Sequence, residues 1–230
     1  SPRRRLANAR RGIGVSLLAA LWGCGGSADP GVVAPVQDPR GEAERLEDGT
    51  AVQRPTLILF RWRVAEEGLR LSGRGVARVE PPYRARLDLF LENGEAVAVA
   101  VMVEDDLRLP VTLPGGLLPP AHLLWGSLGV FRVWPGTEVV GGEELAGGIR
   151  QIRTRLAAGD EVRYRFTDEA MRSVELLERG SVVKRVELEQ DGVSVPSEAV
   201  YRDLAAFREL VITRESVEHV ASFPPDIWRP

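Results

Sequence analysis

A chain of 230 residues with 44 % hydrophobic content is long enough for one large domain with its own core. Its 30 Lys and Arg against 33 Asp and Glu give a net charge of −3 at pH 7, without the basic excess that a nucleic-acid surface needs. A single cysteine excludes both an internal disulfide and a thiolate metal cluster.

Residues 1–11 carry Arg3, Arg4, Arg5, Arg10 and Arg11 and no acid. An apolar run follows from Ile13 through Leu17, Leu18 and Leu21 to Gly23-Cys24. A basic start, a short apolar centre and a small residue before the cut is the layout of a secretory signal. A run of about a dozen residues falls short of the roughly 20 that a spanning helix needs. Leu21-Trp22-Gly23-Cys24 resembles the lipobox of bacterial lipoproteins, with Trp22 where that family usually has a small residue. The resemblance implies diacylation of Cys24, cleavage after Gly23 and acylation of the new amino terminus. One acyl chain holds a protein to a membrane only marginally, and two or more make the attachment stable. Without residues 1–23 the chain has 25 basic and 33 acidic residues, a net −8. Gly25 stands where an Asp would favour inner-membrane retention, which implies the periplasmic face of the outer membrane and leaves the inner membrane open.

Residues 24–55 are expected to form the lipidated N-terminus and a flexible tether, with Gly25, Gly26, Pro30, Gly31, Pro35, Pro39 and Gly41 as breakers. Glu42, Glu44 and Arg45 allow a short helical turn around Glu42–Leu46. The folded domain is expected over 56–230.

From Thr56 the hydrophobic period is two. Segment 56–66 carries Leu57, Leu59, Trp62 and Val64 among polar neighbours. Segment 69–80 sets Leu69, Leu71, Gly73, Gly75, Ala77 and Val79 against an arginine-rich face. Segment 83–91 alternates Ala85, Leu87 and Leu89 with Arg84, Arg86 and Asp88. Such alternation predicts antiparallel strands with one wet face. Pro81-Pro82 and Asn93-Gly94 supply turns. Segment 95–103 is apolar on both faces, which predicts a central strand covered on both sides.

The pattern breaks at 110–136. Pro119-Pro120 is placed to open a helix, and Leu123, Leu124, Trp125, Leu128, Val130, Phe131 and Trp134 follow at roughly helical spacing. Strands are predicted to resume at 148–156, 161–167, 171–179, 181–190 and 208–223. Residues 197–206 are read as a second short helix with Ser197 as cap. The expected fold is mainly β, nine or ten strands with one or two helices.

The run from Ser72 to Leu89, Ser-Gly-Arg-Gly-Val-Ala-Arg-Val-Glu-Pro-Pro-Tyr-Arg-Ala-Arg-Leu-Asp-Leu, followed by Asn93-Gly94, resembles the opening hairpins of the LolA/LolB lipoprotein-carrier superfamily. That resemblance implies an incompletely closed antiparallel β-barrel with helices as lid or plug. It also implies an apolar cavity for acyl chains, with Leu123, Leu124, Leu128 and Phe131 as lid candidates. Leu69, Leu71, Leu87 and Leu89 are the inward candidates for cavity wall. The same rows also suit an ordinary core, and the same helix suits a plug.

Chemistry-bearing patterns are scarce. His122 and His219 have no carboxylate or cysteine spacing that reads as a metal site. Ser127 near His122 does not form a nucleophile elbow. Glu104 with Asp105, and Glu143 with Glu144, read as solvated acids in turns, and Arg84 and Arg86 as a solvated outer face. No glycine-rich phosphate loop follows a strand, so neither a cofactor nor an enzyme is expected. Two readings stay open: a membrane-anchored lipoprotein that binds acyl chains or another apolar ligand, with lipid or lipoprotein cargo, or a non-catalytic interaction module with a solidly packed barrel and exposed tryptophans. The cargo and the oligomeric state are left open.

Overall fold

A computed structural model describes residues 30–109 and 118–229. Cys24 and the rest of the expected signal lie outside those residues. Thirteen strands form one antiparallel sheet that does not close into a barrel: β1 Val32–Pro35, β2 Thr56–Glu66, β3 Leu69–Glu80, β4 Arg84–Leu91, β5 Ala96–Val103, β6 Asp106–Arg108, β7 Glu138–Leu145, β8 Ile149–Arg155, β9 Glu161–Thr167, β10 Ala170–Glu178, β11 Ser181–Glu189, β12 Glu198–Asp203 and β13 Arg208–His219. The strand order is β1-β7-β8-β9-β10-β11-β12-β13-β2-β3-β4-β5-β6, so β1 and β6 are the open edges. Two helices, α1 (Pro39–Thr50) and α2 (Ala121–Ser127), accompany the sheet.

Period-two alternation sets the two faces. In β2, Ile58, Phe60, Trp62 and Val64 point into the core, whereas Arg61 and Arg63 point out. Leu57 and Leu59 take the outer register, and Leu59 is 40 % exposed. Gly73 and Gly75 of β3 are where backbone and ring must approach closely. The Phe60 ring fills the place of a Cβ at Gly75, and the Phe90 carbonyl crowds that at Gly73. Trp62 then donates its indole N–H to the carbonyls of Arg74 (3.1 Å) and Phe90 (3.2 Å).

The outer face carries arginine–carboxylate pairs across strands. Glu175, almost fully buried, faces Arg185 at 3.0 Å, Arg163 at 3.2 Å and Arg165 at 3.7 Å. Arg86 pairs with Asp88 at 2.9 Å and Arg84 with Glu80 at 3.7 Å, so the arginines of β4 are used within the chain. Strand β5 is covered on both faces, although it is the penultimate strand rather than a central one. Ala98, Ala100 and Met102 meet the core, and the outward Val101 is fully buried. A 3-10 turn at Pro225–Trp228 packs on β4 and β5, held by Arg86, which donates to the Ile227 carbonyl at 2.9 Å.

Several expectations are corrected. Residues 30–55 do not run as a bare tether, because β1 pairs with β7 and α1 buries Ala43 and Leu46 in the core. Asp38 caps α1 by accepting from the Gly41 N–H at 3.0 Å, with Pro39 at the first helical position. Residues 197–206 form β12 and a turn instead of a helix. Ala199, Tyr201 and Asp203 alternate inward, and both neighbours bind the strand along its length. Glu143 and Glu144 lie in β7 rather than in a turn; Glu143 accepts from Gln151 at 2.6 Å and meets Arg153 at 3.3 Å. The short β1 and β6 escaped the periodicity, and Gly141-Gly142 masked β7.

Candidate functional site

The apolar insertion fills much of the sheet's inner face. Pro120 opens α2, its carbonyl accepting from the N–H groups of Leu123 and Leu124. The helix stops after seven residues, where Leu128 and Gly129 bond back to Trp125 and Gly126. Residues 128–129 turn and 130–134 run without regular secondary structure, not as the longer lid helix that the spacing predicted. Leu123, Leu124 and Phe131 have no exposed surface, Trp125 is 1 % and Trp134 5 % exposed. Phe131 packs edge-on against Tyr164 (4.7 Å) and Phe166 (5.4 Å) of β9. The segment is therefore a plug over this region.

Helix α1 fastens that plug. Glu47 accepts the Tyr83 hydroxyl at 2.9 Å and the Val133 N–H at 3.2 Å, and Arg132 stands 3.7 Å away. Thr50 accepts from the Phe131 N–H at 3.1 Å and donates to the Leu46 carbonyl at 2.9 Å. Burial, reinforced by the bond to Glu47, pushes the Tyr83 hydroxyl well above its usual pKa and keeps it a donor. Trp125 and Trp134 close round Tyr83 at 6.2 and 5.8 Å, and the Arg132 guanidinium lies 3.9 Å from the Tyr83 ring centre. Trp62 and Trp228 are buried as well, so the tryptophans of the described residues are internal rather than offered to a partner.

What the plug leaves is a crevice of about 370 Å³ at one end of the sheet. Its apolar wall is Val52, Ile58, Val79, Leu128, Val130 and Val195. Asp48, Gln53, Arg54, Ser194 and His219 line its rim. This lies within the roughly 300–1,000 Å³ common for small-ligand sites. A narrow inner extension runs between Phe60, Leu87, Leu128 and Ile212. A more polar hollow of about 470 Å³ adjoins it, sharing Gly49, Thr50, Ala51 and Ser194 and adding Asp168, Glu169, Arg172 and Gln190. On the rim, Thr56 gives its single hydroxyl proton to the Arg54 carbonyl at 2.8 Å. Its oxygen also lies 3.2 Å from His219 Nδ1.

The eight leucine and phenylalanine candidates separate here. Leu128 lines the crevice, and Leu87 joins it in the inner extension. Leu89, Leu123, Leu124 and Phe131 are packed core. Leu71 borders a shallow hollow beside Arg70 and Glu209 at the other end of the strands, and Leu69 is 43 % exposed there. The crevice residues Val52, Ile58, Val79, Val130 and Val195 were not singled out in the sequence. The Asp38-Pro39 helix start was the available signal that α1 would bring its end to the site.

Among the described residues no group of three or more His, Cys, Asp and Glu is placed to hold a metal. Ser127 is buried and donates to the Leu123 carbonyl at 3.0 Å. Burial pushes His122 down to about 4, so its imidazole is neutral near pH 7.

No protein-family profile matches the chain, and no curated protein does. Solved structures do. A LolA superfamily protein from Nitrosomonas europaea superposes with a TM-score of 0.57 at 10 % identity, covering 83 % of this chain and 97 % of its own. An outer membrane lipoprotein-sorting protein domain from Vibrio parahaemolyticus gives 0.53 at 6 % identity, with 84 % and 95 % covered. A DUF1329 family protein from Desulfovibrio piger gives 0.52 at 10 % identity, with 86 % and 98 % covered. At such identities the likeness is one of architecture, and the chain has the LolA-like fold: an open antiparallel sheet with helices on its inner face.

Proposed function

We propose that this chain is a lipid-anchored envelope protein without catalytic activity that holds an acyl chain or another apolar ligand in the crevice beside α1. The observation that carries the reading is the crevice itself, an apolar wall left open where the plug stops. The LolA-like fold supports it, since it includes a domain named for outer membrane lipoprotein sorting. In the reading, Cys24 carries the anchor and the outer membrane, periplasmic face, is the site of action.

Strand direction adds support. Successive antiparallel pairings put the start of β1, the loop 190–197 and the Thr56–His219 pair at one end of the sheet. Residue 30 thus enters at the end where the crevice opens. Cys24, six residues earlier in the chain, stays within about 20 Å of that entry even fully extended. An anchor there keeps the crevice near the lipid surface.

The test is displacement of a fluorescent fatty acid from the intact chain and from Val195→Trp, which fills the crevice from a half-buried position. Wild type is expected to bind and release the probe to unlabelled fatty acid, and Val195→Trp to lose binding while unfolding at the same denaturant concentration. A wild type that takes up no probe refutes the reading. The fully buried Leu123, Leu124 and Phe131 favour the second reading in that event, a packed interaction module.

A further inference from the structure

Within the acyl-binding reading, which this inference rests on, the crevice also specifies its ligand. Its volume of about 370 Å³ equals about a dozen groups of the size of water or a methylene, at about 30 Å³ each. That is room for one acyl chain within the crevice. The rim bears opposite charges that do not pair with each other. Asp48 lies in the last turn of α1, which has no basic residue, and the helix's free carbonyls add negative potential there. Arg54, six positions on and exposed, makes no ion pair within the described residues, although most arginines of this sheet do.

A site with one chain's worth of apolar volume, a cation-seeking edge and an anion-seeking edge fits a single-chain amphiphile with a zwitterionic head. We infer that the crevice takes a lysophospholipid of the phosphate–amine type, its phosphate toward Arg54 and its ammonium toward Asp48 and the end of α1. The adjoining polar hollow with Ser194 and Arg172 gives the head room to stay hydrated.

The experiment is calorimetric titration of the intact chain with four probes of equal chain length: lysophosphatidylethanolamine, lysophosphatidylglycerol, the free fatty acid, and vesicles of the diacyl phosphatidylethanolamine. The expected order is lysophosphatidylethanolamine first, at one per chain. Arg54→Gln is expected to weaken it about tenfold, the loss of one charge-assisted contact. Asp48→Asn is expected to erase the preference over lysophosphatidylglycerol, whose head lacks the amine. Equal affinity for the lysophospholipids and the fatty acid, or no response to either substitution, overturns the inference and leaves the acyl site standing. Tight binding of the diacyl lipid overturns it as well. If no probe binds, the acyl site itself falls and the inference with it.

Discussion

Trp125 donates its indole N–H to the main-chain carbonyl of Glu104 at 2.8 Å, tying the plug to the turn between β5 and β6. Glu104 sits at φ 55, a conformation uncommon for a side-chain-bearing residue, and its own N–H bonds the Tyr83 carbonyl at 2.9 Å. Plug, β5–β6 turn and β3–β4 turn are thereby one unit, with Tyr83, Trp125, Trp134 and Arg132 clustered at its centre.

Trp125→Phe keeps most of the ring but removes the donor, leaving the Glu104 carbonyl without this partner. A hydrogen bond of this kind contributes about 0.5–1.5 kcal/mol net. Urea unfolding of the variant is expected to show a loss of that size. Unchanged stability would mean that the indole bond does not secure the plug.

Gly75→Ala places a Cβ 2.2 Å from the Phe60 ring, too close for either to remain in place. Forcing extra volume into a packed site costs about 1–3 kcal/mol. The clash belongs to one ring, so Phe60→Leu combined with Gly75→Ala is expected to lose less than the sum of the two single changes. Strict additivity in denaturant melts would contradict that account.

His122 gives the fold an acid-sensitive element. Burial lowers its pKa from 6.5 to about 4, against a weak opposing pull from Asp160. The unfolded chain therefore takes up a proton that the folded chain refuses. Between pH 6.5 and 4 stability falls with falling pH, by up to roughly 3 kcal/mol, and above about pH 7 this group contributes no slope. His122→Phe cannot titrate, so its stability relative to wild type is expected to rise as pH falls through that window. A constant difference from pH 7 to 4.5 would show that the folded and unfolded chains protonate His122 alike.

The legible parts of the fold were those with a strict period. Strands β2 to β4 and β8 to β11 read directly from alternation, because each has one face on the core, and β5 from a run apolar on both faces. Gly73 and Gly75 lie where the Phe90 carbonyl and the Phe60 ring come close. The edge strands were opaque for a physical reason: four residues of β1 and three of β6 are too short to show a period. Helix α1 buries only Ala43 and Leu46 among charged neighbours, so its composition reads as a linker. In the site, Leu128 was legible as part of an apolar insertion. Val52 and Val195 were not, since they come from loops whose meeting depends on where α1 docks.

The central claim is that the crevice holds one amphiphile apart from any covalent anchor. The measurement that tests it most directly is mass spectrometry of the intact chain purified from membranes, under native and then denaturing conditions. The claim predicts a native mass exceeding the denatured mass by one single-chain lipid, and no such excess for Val195→Trp. Identical native and denatured masses for the wild-type chain, with the fold intact, would contradict it.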